Sequence, residues 1–470
     1  MAAKMLTASR AFRSARVKIN VQACCALLVL FFAATGGCKK DRQIPDYPAG
    51  SNENINSWVL DSLKRYYYWS DALPSNPDIS LAPKTFFSSV RFSEDRFSWL
   101  LLPSDPSTNI ISVRSKYGFD YSVIQDESSQ QVVGVVKFVL SESPAARAGI
   151  KRGDYLSRIN GKRLSKDNAE SLLGDLLAGN SSILTMADVK TDAVTETVDI
   201  NLSSGLTFEQ APVHQIIETG SKKIGYLYLN NFNRGLASSL TATFADFKAA
   251  GITDLVFDLR YNSGGEVAEA AGLCAMIAPA VSYNSPFIIY SGNKNGGTRK
   301  ESFGEAATFD GTVNFNVLLQ NNLNLPRLYV LGTGATASAA EVVINNLKPY
   351  MQVILVGEKT MGKDQASFMI ADQRPVKKVD WQIYPIVYKI ANASGQGAYR
   401  NGISPDVAVD ELAYLPLAPL GSLNDPLLSA VVNQQLNTSS RQSARLARPV
   451  KLLSDSRRKA AEQAIVITHR

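Results

Sequence analysis

Apolar residues change their spacing several times along the 470 positions of the chain. Lys4, Arg10, Arg13, Arg16 and Lys18 come first, then a mostly apolar run over residues 21–34, then Thr35-Gly36-Gly37 and Cys38. A basic head, an apolar middle and small residues at its end form the pattern of an export signal, and the run is too short to span a bilayer comfortably. Over residues 55–99, Trp58, Leu60, Leu63, Tyr67 and Trp69 fall at helical spacing, which predicts an amphipathic helix in a small helical domain with these aromatics as core. From about 113 to 202 the period shortens, and Val132-Val133, Val135-Val136 and Phe138-Val139 predict strand structure up to a turn at Ser143-Pro144. From about 208 to 410, apolar strand runs at 224–229, 254–259, 328–332 and 353–357 alternate with helical runs. This order predicts an α/β core with a mixed, partly parallel sheet and flanking helices. Beyond Leu415 the chain is rich in Ser, Gln and Arg, with Arg441, Arg445, Arg448, Lys451, Arg457, Arg458 and Lys459, and reads as a flexible tail or as short exposed helices. No period of about 20 to 50 residues recurs, which excludes a solenoid or propeller.

With 45% apolar residues, the chain is too apolar for disorder and too long for one core, so about two to four domains and a buried site are expected. The net charge of +7 is misleading, because residues 1–42 hold eight bases and one acid, and residues 438–470 hold eight and two. The part between carries 33 bases and 39 acids, so the expected folded domains lack the basic footprint of a nucleic-acid binder. Cys24 and Cys25 fall in the export signal and Cys274 in an apolar stretch, leaving neither a disulfide framework nor a cysteine metal site.

Two readings fit the end of the export signal: ordinary cleavage near Gly37, or lipidation of Cys38. A cysteine directly after small residues resembles a bacterial lipoprotein box, although Thr35 stands where that pattern prefers Leu. We expect residues 1–37 to be removed and Cys38 to carry a lipid, with Lys39-Lys40-Asp41-Arg42 opening a tether. Such a protein is anchored to a bacterial membrane without spanning it, in the cell envelope.

In the strand-rich part, Ala145-Ala146-Arg147-Ala148-Gly149-Ile150-Lys151-Arg152-Gly153-Asp154-Tyr155-Leu156-Ser157-Arg158-Ile159-Asn160-Gly161 resembles a PDZ domain. The likeness lies in a short helix opened by Pro144, a Gly149 stop, a Gly153-Asp154 turn, a strand and an Asn160-Gly161 turn. It implies that a peptide adds as a strand to a sheet edge while backbone amides hold its C-terminal carboxylate. Tyr117-Gly118-Phe119 is the expected carboxylate loop, but the neighbouring Asp120 would repel a carboxylate unless it points away. The domain therefore reads as a peptide receptor or as a structural gate.

The run Leu328-Tyr329-Val330-Leu331 leads through Gly332-Thr333-Gly334 into a helical stretch, which puts Ser338 at a helix N-terminus. Free amides and the helix dipole there suit a developing oxyanion. Ser338 and Glu341 also spell a capping box, which needs no catalysis. Lys363 lies 25 residues on, after the strand Val353-Ile354-Leu355-Val356 and a loop ending in Met361-Gly362. To act as a base near neutrality its pKa must fall by about three units from the usual ~10.4, which requires apolar burial. Met361, Phe368 and Met369 are the expected neighbours. The histidines are His214 and His469. His214 follows Pro212 in an apparent edge strand and His469 is next to last in a polar tail, so neither suits a Ser-His-Asp triad.

Three motifs resemble the C-terminal processing (tail-specific) peptidase family: Asp258-Leu259-Arg260-Tyr261-Asn262-Ser263-Gly264-Gly265, then Thr336-Ala337-Ser338-Ala339-Ala340-Glu341, then Val356-Gly357-Glu358-Lys359-Thr360-Met361-Gly362-Lys363. Ile403-Ser404-Pro405-Asp406 adds to the likeness, which covers about residues 55–415. The resemblance implies a serine endopeptidase working through an acyl-enzyme on Ser338 with Lys363 as general base. It implies an oxyanion hole from the amides of Ala339 and Gly264 or Gly265. The third partner stays open: the family often has Gln four residues after the lysine, where this chain has Ser367, with Gln365 two after. Some members use an acid eleven residues after the serine, here Pro349, and others one three after, which Glu341 matches.

Gly357-x4-Gly362-Lys363 also imitates a phosphate loop, but Asp364 stands where Ser or Thr would hold Mg²⁺. No metal or organic cofactor is expected. The remaining rivals are a catalytically silent PDZ scaffold of the cell envelope and a Ser/Lys esterase or amidase. The expected order is a signal peptide at 1–37, a tether and helical domain at 38–105, a PDZ domain at 106–205, a peptidase core at 206–415 and a polar basic tail at 416–470. The expected partners are protein or peptide substrates, taken by their C-termini, and a membrane through Cys38.

Overall fold

A short helical segment comes first in the computed structural model, which describes residues 47–109, 111–190, 193–207, 210–435 and 447–457. The expected signal, Cys38 and His469 lie outside them. Helix α1 (Asn52–Tyr66) is capped by Ser51, whose hydroxyl accepts the Asn54 N–H at 3.2 Å. It packs Ile55, Val59, Leu60 and Leu63 against Phe86, Phe87 and Val90 of α2 (Pro83–Val90), with Tyr67 buried between them and Trp58 and Trp69 at the edge. Tyr67 is core as expected, but the helix stops at Tyr66, so Tyr67 and Trp69 reach this cluster from the turn after it and not from a helical face. Strand β1 (Trp99–Leu101) then pairs antiparallel with residues 382–384, and Trp99 stacks on Tyr384 at 4.0 Å between centroids.

The PDZ-like part begins with α3 (Val113–Tyr117), stopped by Gly118 at φ 85°, and β2 (Phe119–Asp126). β3 (Val132–Val139), the short helix Pro144–Arg147 capped by Ser143, β4 (Tyr155–Ile159), α4 (Ala169–Ala178), β5 (Ser181–Lys190) and β6 (Ala193–Ser203) follow. The strands pair antiparallel in the order β2-β3-β4-β5-β6. α4 closes the sheet by packing Leu172, Leu173 and Leu176 with Phe119, Tyr121 and Val123.

The core has β7 (Val213–Thr219), β8 (Lys222–Tyr228), β9 (Asp254–Asp258), β10 (Arg327–Gly332), β11 (Gln352–Gly357) and β12 (Val407–Ala408). They form one sheet in the order β12-β11-β10-β9-β8-β7, parallel except for the β7–β8 pair. The strand runs read from the sequence therefore lie side by side, and the α/β core is as expected. The fully buried helix Val267–Ile277 and α5 (Ala339–Leu347) pack against one cluster of the sheet.

The stretch expected as a tail behaves differently. Leu427, Leu428, Val431 and Val432 pack with Tyr226, Tyr228 and Val256 of the core. Strand β13 (Val450–Asp455) joins the PDZ-like sheet beside β2. The basic residues from Arg441 onward masked the second of these apolar anchors, whereas the first lies in a stretch without Lys or Arg.

Buried charge ties the parts together. Arg260, fully buried, donates to Asp258 at 2.8 Å and to Asp425 at 2.6 and 2.9 Å, and reaches Glu411 at 3.1 Å. Arg152 of the PDZ-like part joins the same acids, and its guanidinium donates to the Tyr261 hydroxyl at 2.6 Å.

Candidate active site

Strand β10 delivers the chain into a tight loop, where Thr336 Oγ1 donates to the Leu259 carbonyl at 2.7 Å and Ala337 N–H donates to the Asn262 carbonyl at 3.0 Å. Ser338 follows as the N-cap of α5 with φ 61° and ψ −118°. A residue with a β-carbon is rarely held at positive φ, and such geometry concentrates at functional turns. Helix α5 starts directly after it, so the Ala339 amide is among the first-turn N–H groups that have no intrahelical acceptor.

The glycine pair of the first motif runs against this turn. A β-carbon on Gly264, at φ 104°, would lie 2.7 Å from Ser338 Cβ and 3.1 Å from the Ala339 nitrogen. One on Gly265 would lie 2.4 Å from the Phe232 carbonyl oxygen. Only glycine lets the backbone pass the serine so closely. The Gly264 N–H donates to Asn262 Oδ1 at 2.8 Å.

Glu341 is the centre of the site. Its Oε2 accepts the N–H of Ser338 at 2.8 Å and the N–H of Lys363 at 2.8 Å. Its Oε1 accepts the Thr360 hydroxyl at 2.5 Å and the Gly362 N–H at 2.7 Å. One carboxylate oxygen thus fastens together the backbones of two residues far apart in sequence. Burial pushes the Glu341 carboxyl above its usual range, while Thr360 and the three backbone donors pull it back.

The Lys363 side chain is 1% exposed, and burial pushes its ammonium down to about 7 against the pull of Asp95 and Glu341. Its Nζ lies 4.9 Å from the centre of the Phe97 ring. Arg96 Nη2 meets Met361 Sδ at 3.4 Å, and Asp95 is held by the Tyr67 hydroxyl at 2.7 Å and by the N–H groups of Phe97 and Ser98. The apolar roof over the lysine therefore comes from the N-terminal segment. Met361 is buried nearby as expected, but Phe97, 266 positions away, was not anticipated. No local signal near Lys363 points to it.

The other expected residues fall as follows. Gln365 is buried in a short strand opposite Lys389, and its Oε1 lacks a hydrogen-bond partner. His214 is exposed on the edge strand β7, away from the motifs. Tyr117, Gly118 and Phe119 do form the turn before β2, but the Gly118 N–H is taken up by the Arg114 carbonyl at 2.9 Å, as the cap of α3. Asp120 points away from the groove: it is fully buried and accepts from Arg114 Nε at 2.6 Å.

The site combines a serine at a strained helix entrance, a buried lysine depressed towards neutrality and a crowded pair of glycines. Comparison with known proteins gives the same direction. Residues 223–409 match the model of peptidase family S41, residues 54–99 that of the peptidase S41 N-terminal domain, and residues 108–174 that of the PDZ domain. A carboxy-terminal-processing protease of Bartonella bacilliformis is 23% identical over 331 residues, 68% of this chain and 69% of that protein. A carboxyl-terminal-processing protease of a Picosynechococcus species is 28% identical over 50% of this chain and 52% of its own length, so the chain spans only about half of that relative. Among solved structures, a putative S41 protease from Bacteroides fragilis superposes with a TM-score of 0.65 at 29% identity, covering 82% of this chain and 98% of that one.

Proposed function

We propose that the chain is a peptidase of family S41, the family whose model residues 223–409 match, with Ser338 as its nucleophile and Lys363 as its general base. The observation that carries this reading is Glu341 Oε2, which accepts the N–H groups of both residues. In the proposed reaction Ser338 Oγ attacks the scissile carbonyl while neutral Lys363 Nζ takes its proton. The oxyanion is met by the Ala339 amide and an amide of Gly264 or Gly265. A carbonyl entering at Gly264 must compete with Asn262 Oδ1 for the N–H. The lysine then returns the proton to the leaving amine, and water deacylates the serine by the same route. Glu341 acts as a positioning residue, holding both partners without touching the substrate.

The PDZ domain supports protein or peptide substrates. We place the protein in the cell envelope of a bacterium, anchored through a lipid on Cys38, on the strength of the basic and apolar leader and its small residues. Wild type is expected to degrade an unfolded protein such as casein, and Ser338→Ala and Lys363→Ala each to abolish it. Full activity in either variant overturns the dyad, and an inert wild type favours the silent scaffold.

A further inference from the structure

Strand β13 lies in the place that a PDZ domain offers to its peptide. Antiparallel to β2, it pairs Val450 with Asp126 and Asp455 with Ser122, so it runs towards the turn at Gly118. Leu453 packs into the cluster of Phe119, Tyr121, Leu172 and Leu176, between β2 and α4. Peptides recognised by strand addition lie antiparallel on that edge with alternate side chains in a groove. The end of the segment is also fixed. Ser456 N–H donates to the Tyr121 carbonyl at 3.0 Å, and Tyr121 N–H donates to Ser456 Oγ at 2.9 Å. Asp455 accepts from Lys137 Nζ at 2.5 Å. Buried Arg457 donates from Nη2 to Ser263 Oγ at 2.6 Å, directly before the Gly264-Gly265 pair. Leu452 and Asp455 line a cavity of about 430 Å³ together with Thr360, Met361 and Arg96, beside the loop that leads to Lys363.

We propose that residues 450–457 are the resident ligand of the chain's own PDZ groove, and that a substrate C-terminus gains the groove only by displacing them. The proposal rests on the peptidase and PDZ reading above. It makes the tail a competitor held at high local concentration by its own chain. It also links release of the groove to loss of the Arg457–Ser263 contact beside the proposed oxyanion hole.

The test uses full-length protein carrying Ser338→Ala, so that it does not depend on catalysis, and a fluorescent synthetic peptide of residues 447–457 as the probe. Leu453→Asp, which puts a charge into the apolar groove, is expected to tighten probe binding by about tenfold or more over the parent, because the tethered competitor is weakened. Equal binding by variant and parent overturns the proposal. A second pair, Ser122→Cys with Asp455→Cys, joins registered partners on adjacent strands. The oxidised form is expected to exclude the probe and the reduced form to admit it, and binding by both forms alike overturns the proposal. A failed dyad leaves these measurements unchanged, whereas casein cleavage lost in Ser338→Ala leaves the tail question open to them alone.

Discussion

Phe97→Ala tests how the lysine is made into a base. In the wild type burial holds the Lys363 amine at about 7, with the Phe97 ring 4.9 Å from Nζ. Only the neutral amine accepts a proton, so kcat/KM is expected to rise with pH through about 7 and then level off. Removing the ring admits water and stabilises the ammonium, which moves the lysine up by about one to two units. Each unit costs about tenfold in neutral amine on the acid side. The variant is therefore expected to fall about 10- to 100-fold below wild type at pH 6.5 and to approach it above pH 9. Phe97 is buried, so its truncation also costs about 3–5 kcal/mol of stability, and circular dichroism must confirm the fold at the assay temperature. Phe97→Leu keeps an apolar roof and is expected to retain an acid limb near 7. The assay is a pH profile of kcat/KM on a short unstructured peptide. An acid limb that stays near 7 in Phe97→Ala refutes the idea that the N-terminal segment tunes the base.

Further outcomes follow from the same geometry. Glu341→Gln turns an acceptor of four donors into a group with its own N–H pair facing them, and is expected to lower kcat/KM by at least about 100-fold and stability by about 2–4 kcal/mol, read by kinetics and thermal unfolding. Gly264→Ala places a methyl 2.7 Å from Ser338 Cβ, so activity is expected to vanish while the circular dichroism spectrum holds. Arg260→Ala leaves Asp258 and Asp425 buried without their partner and is expected to cost about 3–5 kcal/mol in denaturant unfolding. Depression of Lys363 means that the unfolded chain binds more protons between about 7 and 10.5, so the lysine's contribution to stability rises with pH across that window. In Lys363→Met that slope is expected to disappear in urea titrations at pH 7 and pH 9.

Much of this was legible in the sequence because it is local. The runs at 224–229, 254–259, 328–332 and 353–357 are short and apolar enough to declare themselves strands of a sheet buried on both faces. The lysine loop carries Gly357 and Gly362 in its own motif, and the glycine that crowds the serine turn, Gly264, stands in the first motif. What the sequence hid lies in long-range pairing. Nothing near Lys363 points to Phe97, which sits in the loop just before Trp99 and reaches the lysine only through long-range packing. The capping box at Ser338 and Glu341 was visible, but one half of it also binds the lysine loop, which no pattern of spacing reveals. The strand Val450–Asp455 was obscured by the basic residues around it, and only the free edge of β2 gives Leu453 a place to pack.

The central claim is a serine activated by a buried lysine. Its most direct measurement is the rate at which a fluorophosphonate labels the full-length protein, with the modified residue located by peptide mass spectrometry across pH 5 to 10. The account predicts a single adduct on Ser338, formed at a rate that rises with a midpoint near 7 and collapses in Lys363→Ala. Labelling of Ser338 at a rate unaffected by Lys363→Ala, or an adduct on another residue with Ser338 unmodified, would contradict it.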